Sequence, residues 1–198
     1  MRLAHLGPDD LTDDQRAVYD VLTRGDRQAV HARLPADVGM TDAAGRLLGP
    51  FNAFLHHPRV GMALQELSRV LRFDGLLPGR ARELVILVVA AAERSEFEWA
   101  AHAAIGHTLG FTDAELDTLA AGELPPLDDP VEAAAAELAR SIVTAGDADD
   151  DVYERARAVL GDPGLVEVST TVGVYRLLAQ QMRLFRVNAP AGPWTTAD

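Results

Sequence analysis

The chain has no cysteine among its 198 residues. That absence excludes disulfides, thiol catalysis, cysteine-ligated zinc and iron–sulfur chemistry. Basic residues are also scarce: 18 Lys and Arg stand against 30 Asp and Glu, a formal net charge of -12. Nucleic-acid binders draw most of their affinity from basic side chains on phosphates. No Lys/Arg cluster of that kind occurs here, so no nucleic-acid partner is expected, and the same charge disfavours an anionic membrane surface. The longest apolar run, Leu84 to Ala92, is far short of the ~20 residues that span a bilayer. The first ten residues, Met1 to Asp10, carry no apolar signal-peptide core. A cytoplasmic protein is the expectation. Neither a G-x-S-x-G elbow nor an H-E-x-x-H motif is present, and the glycines form no phosphate-binding fingerprint.

What is there is mostly helix signal. Thr12 to Gln15 and Thr112 to Glu115 read as capping boxes, and Asp129-Pro130-Val131-Glu132 places a cap, an N1 proline and an N3 glutamate in register. Pro58 opens a helix that runs to about Phe73. Pro78, read as the N1 residue, opens another through the apolar stretch Leu84 to Ala92, and its alanines and length favour a helix buried on nearly all sides. Further helices are expected over 96–109, 113–121, 151–160 and 165–186, with Pro190 and Pro193 marking a frayed tail. Residues 26–50 show no period and read as an irregular excursion, a cover over the site. The expectation is an all-α, single-domain bundle of about eight helices: an N-terminal helix and extension over 1–44, a helical domain over 45–188, and a tail over 189–198.

Glu98 and His102 lie one turn apart on the helix that begins near Glu96, with Ser95 on the same face. A carboxylate beside an imidazole selects a tautomer and raises basicity, which suits proton transfer. The same i, i+4 spacing is equally a surface helix pair worth a few tenths of a kcal/mol. Glu83 lies beyond the first turn of the most apolar helix, where the helix dipole no longer accounts for it. It is either exposed, paired with Arg80 or Arg82, or lining a cavity. Glu83, Glu98 and His102 together would offer three metal ligands, but the spacing matches no metal motif, so no metal and no cofactor are expected.

The run Arg82-Glu83-Leu84-Val85-Ile86-Leu87, followed by Phe97-Glu98-Trp99-Ala100-Ala101-His102, resembles the carboxymuconolactone decarboxylase family, within the alkylhydroperoxidase D-like superfamily. The resemblance extends over about residues 45–188, with Pro50 to Pro58 upstream and Leu165 to Leu178 downstream. In the redox branch the corresponding motif is C-x-x-C-x-x-x-H preceded by a relay glutamate. Here Ser95 and Glu98 occupy the cysteine positions, while His102 and Glu83 are retained. The resemblance therefore implies the non-redox branch: a cofactor-independent lyase acting on a small carboxylated lactone or keto acid. It implies His102 as general acid/base, Glu98 orienting it, and Glu83 completing a relay. Arg80 or Arg82 would receive a substrate carboxylate, and Ser95, Phe51, Trp99 and Tyr175 would contribute to the pocket. It also implies a homo-oligomer, trimer or hexamer. Two other classes use the same residues: a non-catalytic ligand-binding or assembly protein, and a metal-dependent enzyme built on Glu83, Glu98 and His102.

Overall fold

The computed structural model describes residues 1–24 and 26–195. Among them the fold is all-α, with nine α-helices and no strand beyond one isolated bridge between Thr41 and Leu47. The helices are α1 (Asp13–Arg24), α2 (Asp26–His31), α3 (Phe51–His56), α4 (Pro58–Arg69), α5 (Gly79–Glu93), α6 (Glu96–Thr108), α7 (Asp113–Ala120), α8 (Pro130–Ala145) and α9 (Asp150–Phe185). No helix among the described residues is long and apolar enough to cross a membrane.

The three capping signals form as read. Thr12 and Gln15 exchange side-chain and backbone hydrogen bonds, as do Thr112 and Glu115, and Asp129 accepts from the Val131 and Glu132 amides. Helix α5 is the centre of the bundle. Ala81 and every residue from Glu83 to Ala91 are buried, under α6, α7, α8 and α9. An apolar run without period becomes a helix here because it is covered on all sides, and each fully buried Leu or Ile contributes about 1.5–3 kcal/mol.

Four local expectations change. The 26–50 stretch is not wholly irregular: it holds α2, a short 3-10 turn at Ala36–Val38 and the Thr41–Leu47 bridge, with Val38, Met40 and Leu47 buried. Pro78 caps α5 rather than occupying its first turn. Helix α4 does not continue to Phe73, but widens at Val70–Asp74 into a π-helical turn. And the tail is not frayed over its described part. Trp194 packs edge-on against Trp99 with ring centroids 5.1 Å apart, and donates from its indole to the Ala120 carbonyl. The two helices expected over 151–160 and 165–186 appear as the two arms of α9, broken where Gly161 takes φ 66 and ψ 171 just before Pro163. That backbone conformation is open only to glycine.

The link from the π-turn to α5 is held by a buried acid from α9. Glu167 accepts from the amides of Leu76 and Leu77, at 2.6 and 3.0 Å. Gly75 beside it has no room for a Cβ, which would collide with the Glu167 carboxylate and the Leu71 carbonyl.

Candidate active site

Glu83 projects from the buried face of α5 with no exposure, while α6 carries His102, 8% exposed, across the helix pair. The His102 Nδ1 and Glu83 Oε2 are 2.6 Å apart. With Nδ1–H donating to the carboxylate, Nε2 is the basic nitrogen of the neutral ring. The edge of the imidazole also meets the Tyr175 ring from α9, at a centroid distance of 5.1 Å.

Two arginines complete the surroundings of Glu83. Arg72 Nη2 and Arg82 Nε lie 3.3 and 3.6 Å from Oε1. Arg72 is itself buried and donates to the Tyr175 hydroxyl. Arg72 lies within the π-turn, and such turns recur at functional sites. Burial by itself would push the Glu83 carboxyl up, but His102, Arg72 and Arg82 outweigh it and hold it well below the usual carboxylate range. Burial likewise works against charge on Arg72, and is outweighed by Glu83 and Tyr175, which raise its pKa. The result is a buried, mutually compensated group of charges.

Glu98 behaves oppositely. It is 3% exposed, and neither carboxylate oxygen has a hydrogen-bond partner among the described residues. Burial pushes its carboxyl up to about 8; the nearby Ser95 hydroxyl and Arg183 offset only part of this, and Glu93 adds to it. So α5 and α6 present two carboxyl groups in opposite states, one held ionised and one held neutral through neutral pH.

Glu98 and His102 line one enclosed pocket together with Arg72 and Tyr175, roofed by His31 of α2 and by Phe51 and Phe54 of α3. The volume open to the centre of a water molecule is only about 30 Å³, enough for a water or the reacting end of a small molecule. A larger cleft of about 620 Å³ lies between α8 and α9, and none of these residues lines it. The buried charged groups, not the size of an opening, identify the candidate site.

The structure therefore brings together Glu83, Glu98, His102, Phe51 and Tyr175, and redistributes their roles. His102 is hydrogen-bonded to Glu83, not to Glu98. The remaining residues stand elsewhere. Arg80 pairs with Glu115 and Glu132, at 2.5 and 3.1 Å, and its guanidinium lies 4.0 Å from the Phe111 ring centre. It joins α5 to α7 and α8 and does not reach the pocket. Trp99 is committed to Trp194 and the core. Ser95, preceding α6, lines a groove with Glu93 and Arg183 outside the pocket. Arg82 reaches Glu83 from outside the pocket wall. Arg72 and His31 were not anticipated. Arg72 sits in what reads as an ordinary helix end, and His31 in a stretch without period; neither carries a local signal. Among the described residues no group of three or more His, Asp or Glu is disposed to hold a metal ion.

Residues 58–141 match the carboxymuconolactone decarboxylase family. This stretch of the chain is similar to that family. It contains Arg72, Glu83, Glu98 and His102, but neither Phe51 nor Tyr175. The fold is alkylhydroperoxidase D-like, as its similarity to solved structures shows. An uncharacterized peroxidase-related protein from Ralstonia eutropha with an alkylhydroperoxidase AhpD core superposes with a TM-score of 0.71 at 18% identity, covering 96% of this chain and 92% of that one. A peroxidase-related protein from Silicibacter sp. gives 0.70 at 14% identity over the same shares. The debrominase Bmp8 bound to 2,3,4-tribromopyrrole gives 0.70 at 10% identity, again over 96% and 92%. At these identities the likeness concerns the fold alone. No curated protein sequence matches the chain. With no cysteine present, the decarboxylase-family stretch has no thiol with which to run a peroxidase cycle.

Proposed function

We propose that the protein is a cofactor-independent acid–base enzyme, decarboxylase-like, acting on a small carboxylated lactone or keto acid. The observation that carries this reading is the pair of opposed carboxyl groups around one imidazole: Glu83 bound to His102 at 2.6 Å, and Glu98 unpartnered and held protonated in the same pocket. Glu83 stays ionised, orients the ring and stabilises positive charge on it. Glu98, neutral below about pH 8, donates a hydrogen bond to the substrate oxygen on which charge develops. In a decarboxylation the carbon–carboxylate bond breaks and CO₂ leaves. The electron pair stays behind as a dienolate, and the imidazolium passes its Nε2 proton to the carbon. Water then returns a proton to the ring. Isomerisation would use the same groups with the proton taken first and returned at another carbon. The debrominase supports only that this fold can host chemistry on a small ring compound.

The test is CO₂ release and product formation from a panel of carboxylated lactones and β-keto acids, measured for wild type and His102→Ala after chelator treatment. Turnover by wild type that His102→Ala lowers by about 10²-fold or more is the expected result. Activity lost to the chelator would overturn the metal-free mechanism. Saturable binding without turnover would place the protein in the ligand-binding class instead.

A further inference from the structure

The pocket around His102 is too small for a whole carboxylated substrate, and Arg72 forms part of a second wall. On the outer side of Arg72 lies a cleft of about 330 Å³, formed by α2, the π-turn, the start of α5 and the end of α6. Three arginines line it, Arg33, Arg72 and Arg82, and among the described residues no Asp or Glu does. In a chain with net charge -12, a concavity with only positive charge on its walls is a strong local departure. The arginines are not all spent on each other's partners. Arg33 is exposed and has no ion pair among the described residues. Arg82 is only 3.6 Å from Glu83 through Nε, and that buried nitrogen has no hydrogen-bond partner. Glu83 is the single carboxylate near Arg72 and Arg82, so two cations share one anion and Arg33 adds a third. Val30, Leu34 and Leu109 supply apolar walls that would strengthen such charges toward a ligand.

We infer that this cleft is an anion-binding vestibule that seats a carboxylate of the substrate on Arg33 and Arg82, while Arg72, shared by both walls, passes the reacting end to His102. Planar guanidinium forks match a carboxylate in two-point contacts. The substrate class narrows accordingly: an organic acid with one anionic group remote from the reacting carbon. This rests on the acid–base reading only for the claim that the anion belongs to the substrate.

Malonate is the probe, titrated calorimetrically into the full chain, with uncharged dimethyl malonate as control. Wild type binds malonate and not the diester. Arg33→Gln, at an exposed position, keeps the wild-type melting temperature and weakens malonate at least about tenfold, as loss of a charge-assisted hydrogen bond requires. Arg155→Gln, on the far arm of α9 and paired with Glu137, leaves the affinity unchanged. Absence of malonate binding at millimolar concentration, equal binding of the diester, or an Arg33→Gln affinity equal to wild type would each overturn the vestibule, as would equal weakening by Arg155→Gln. With a turned-over substrate, Arg33→Gln raises KM and leaves kcat nearly unchanged. The two proposals fail separately. Turnover indifferent to Arg33 removes the vestibule and leaves the acid–base site, whereas Arg33-dependent malonate binding with no turnover removes the enzyme and leaves the anion site.

Discussion

Glu83 and Glu98 stand within one helix pair and have opposite electrostatic fates, because nearby cations outweigh burial at the first, while at the second burial outweighs the Ser95 hydroxyl and Arg183. Their contributions to stability run oppositely with pH. The Glu98 carboxyl is raised from 4.5 to about 8. Between those values the folded state keeps a proton that the unfolded chain has released, so stability falls as pH rises through the window. Glu98→Gln removes that slope, and the variant is expected to exceed wild type by an order of a few kcal/mol at pH 8. Thermal melts from pH 4 to 9 check this; parallel profiles for the two proteins would count against a protonated Glu98. The Glu83 carboxyl is lowered, so its contribution is present above the ordinary carboxylate range and is lost as pH falls below it. Glu83→Gln keeps the shape but loses the charge that orients and supports His102. It is expected to lower kcat by about 10²-fold or more with a smaller effect on KM, measured on whichever panel substrate turns over.

At the scale of elements, the site depends on how α4 ends. Arg72 reaches Glu83 from the π-turn, and the turn that follows is pinned by Glu167. Glu167→Ala leaves two amides near the core without acceptors. It is expected to destabilise by about 2–3 kcal/mol and to lower activity through displacement of Arg72, with denaturant melts and KM as the readouts. The cover is built with equal closeness. Gly49 sits at φ 57 against the Phe97 ring, where a Cβ would overlap the ring carbons. Gly49→Ala is expected to cost about 1–3 kcal/mol by overpacking and backbone strain, read as a lowered melting temperature.

At the scale of the whole molecule, α5 supplies the core and α6 carries Glu98 and His102, while α2, α3 and α9 close the pocket over their shared face. Several large apolar side chains remain on the surface, including Leu76, Val166 and Leu184, at 67, 64 and 52% exposure. We propose that they are covered in a homo-oligomer. Light scattering is expected to give three or six times the 21.3 kDa chain mass, and a monomeric mass would sink that expectation.

Helix boundaries were readable in the sequence because their causes are local: a threonine and an acid three residues apart, a proline at a first turn. So was the buried character of α5, which follows from an unbroken apolar run. Glu83, Glu98 and His102 stood out as polar groups in apolar or patterned surroundings, and the α5–α6 packing brings Glu83 against His102 beside the pocket that Glu98 and His102 line. Which carboxylate holds His102 was not legible. Spacing along α6 favoured Glu98, one turn away, but side chains one turn apart need not touch, and the partner came from a neighbouring helix 19 residues earlier. Arg72 and His31 were invisible for the same reason: nothing in their neighbours along the chain distinguishes them. Local sequence determined where the helices start and stop. Tertiary packing alone decided which charges lost their water together, and therefore which became ionised, which became neutral, and which could act.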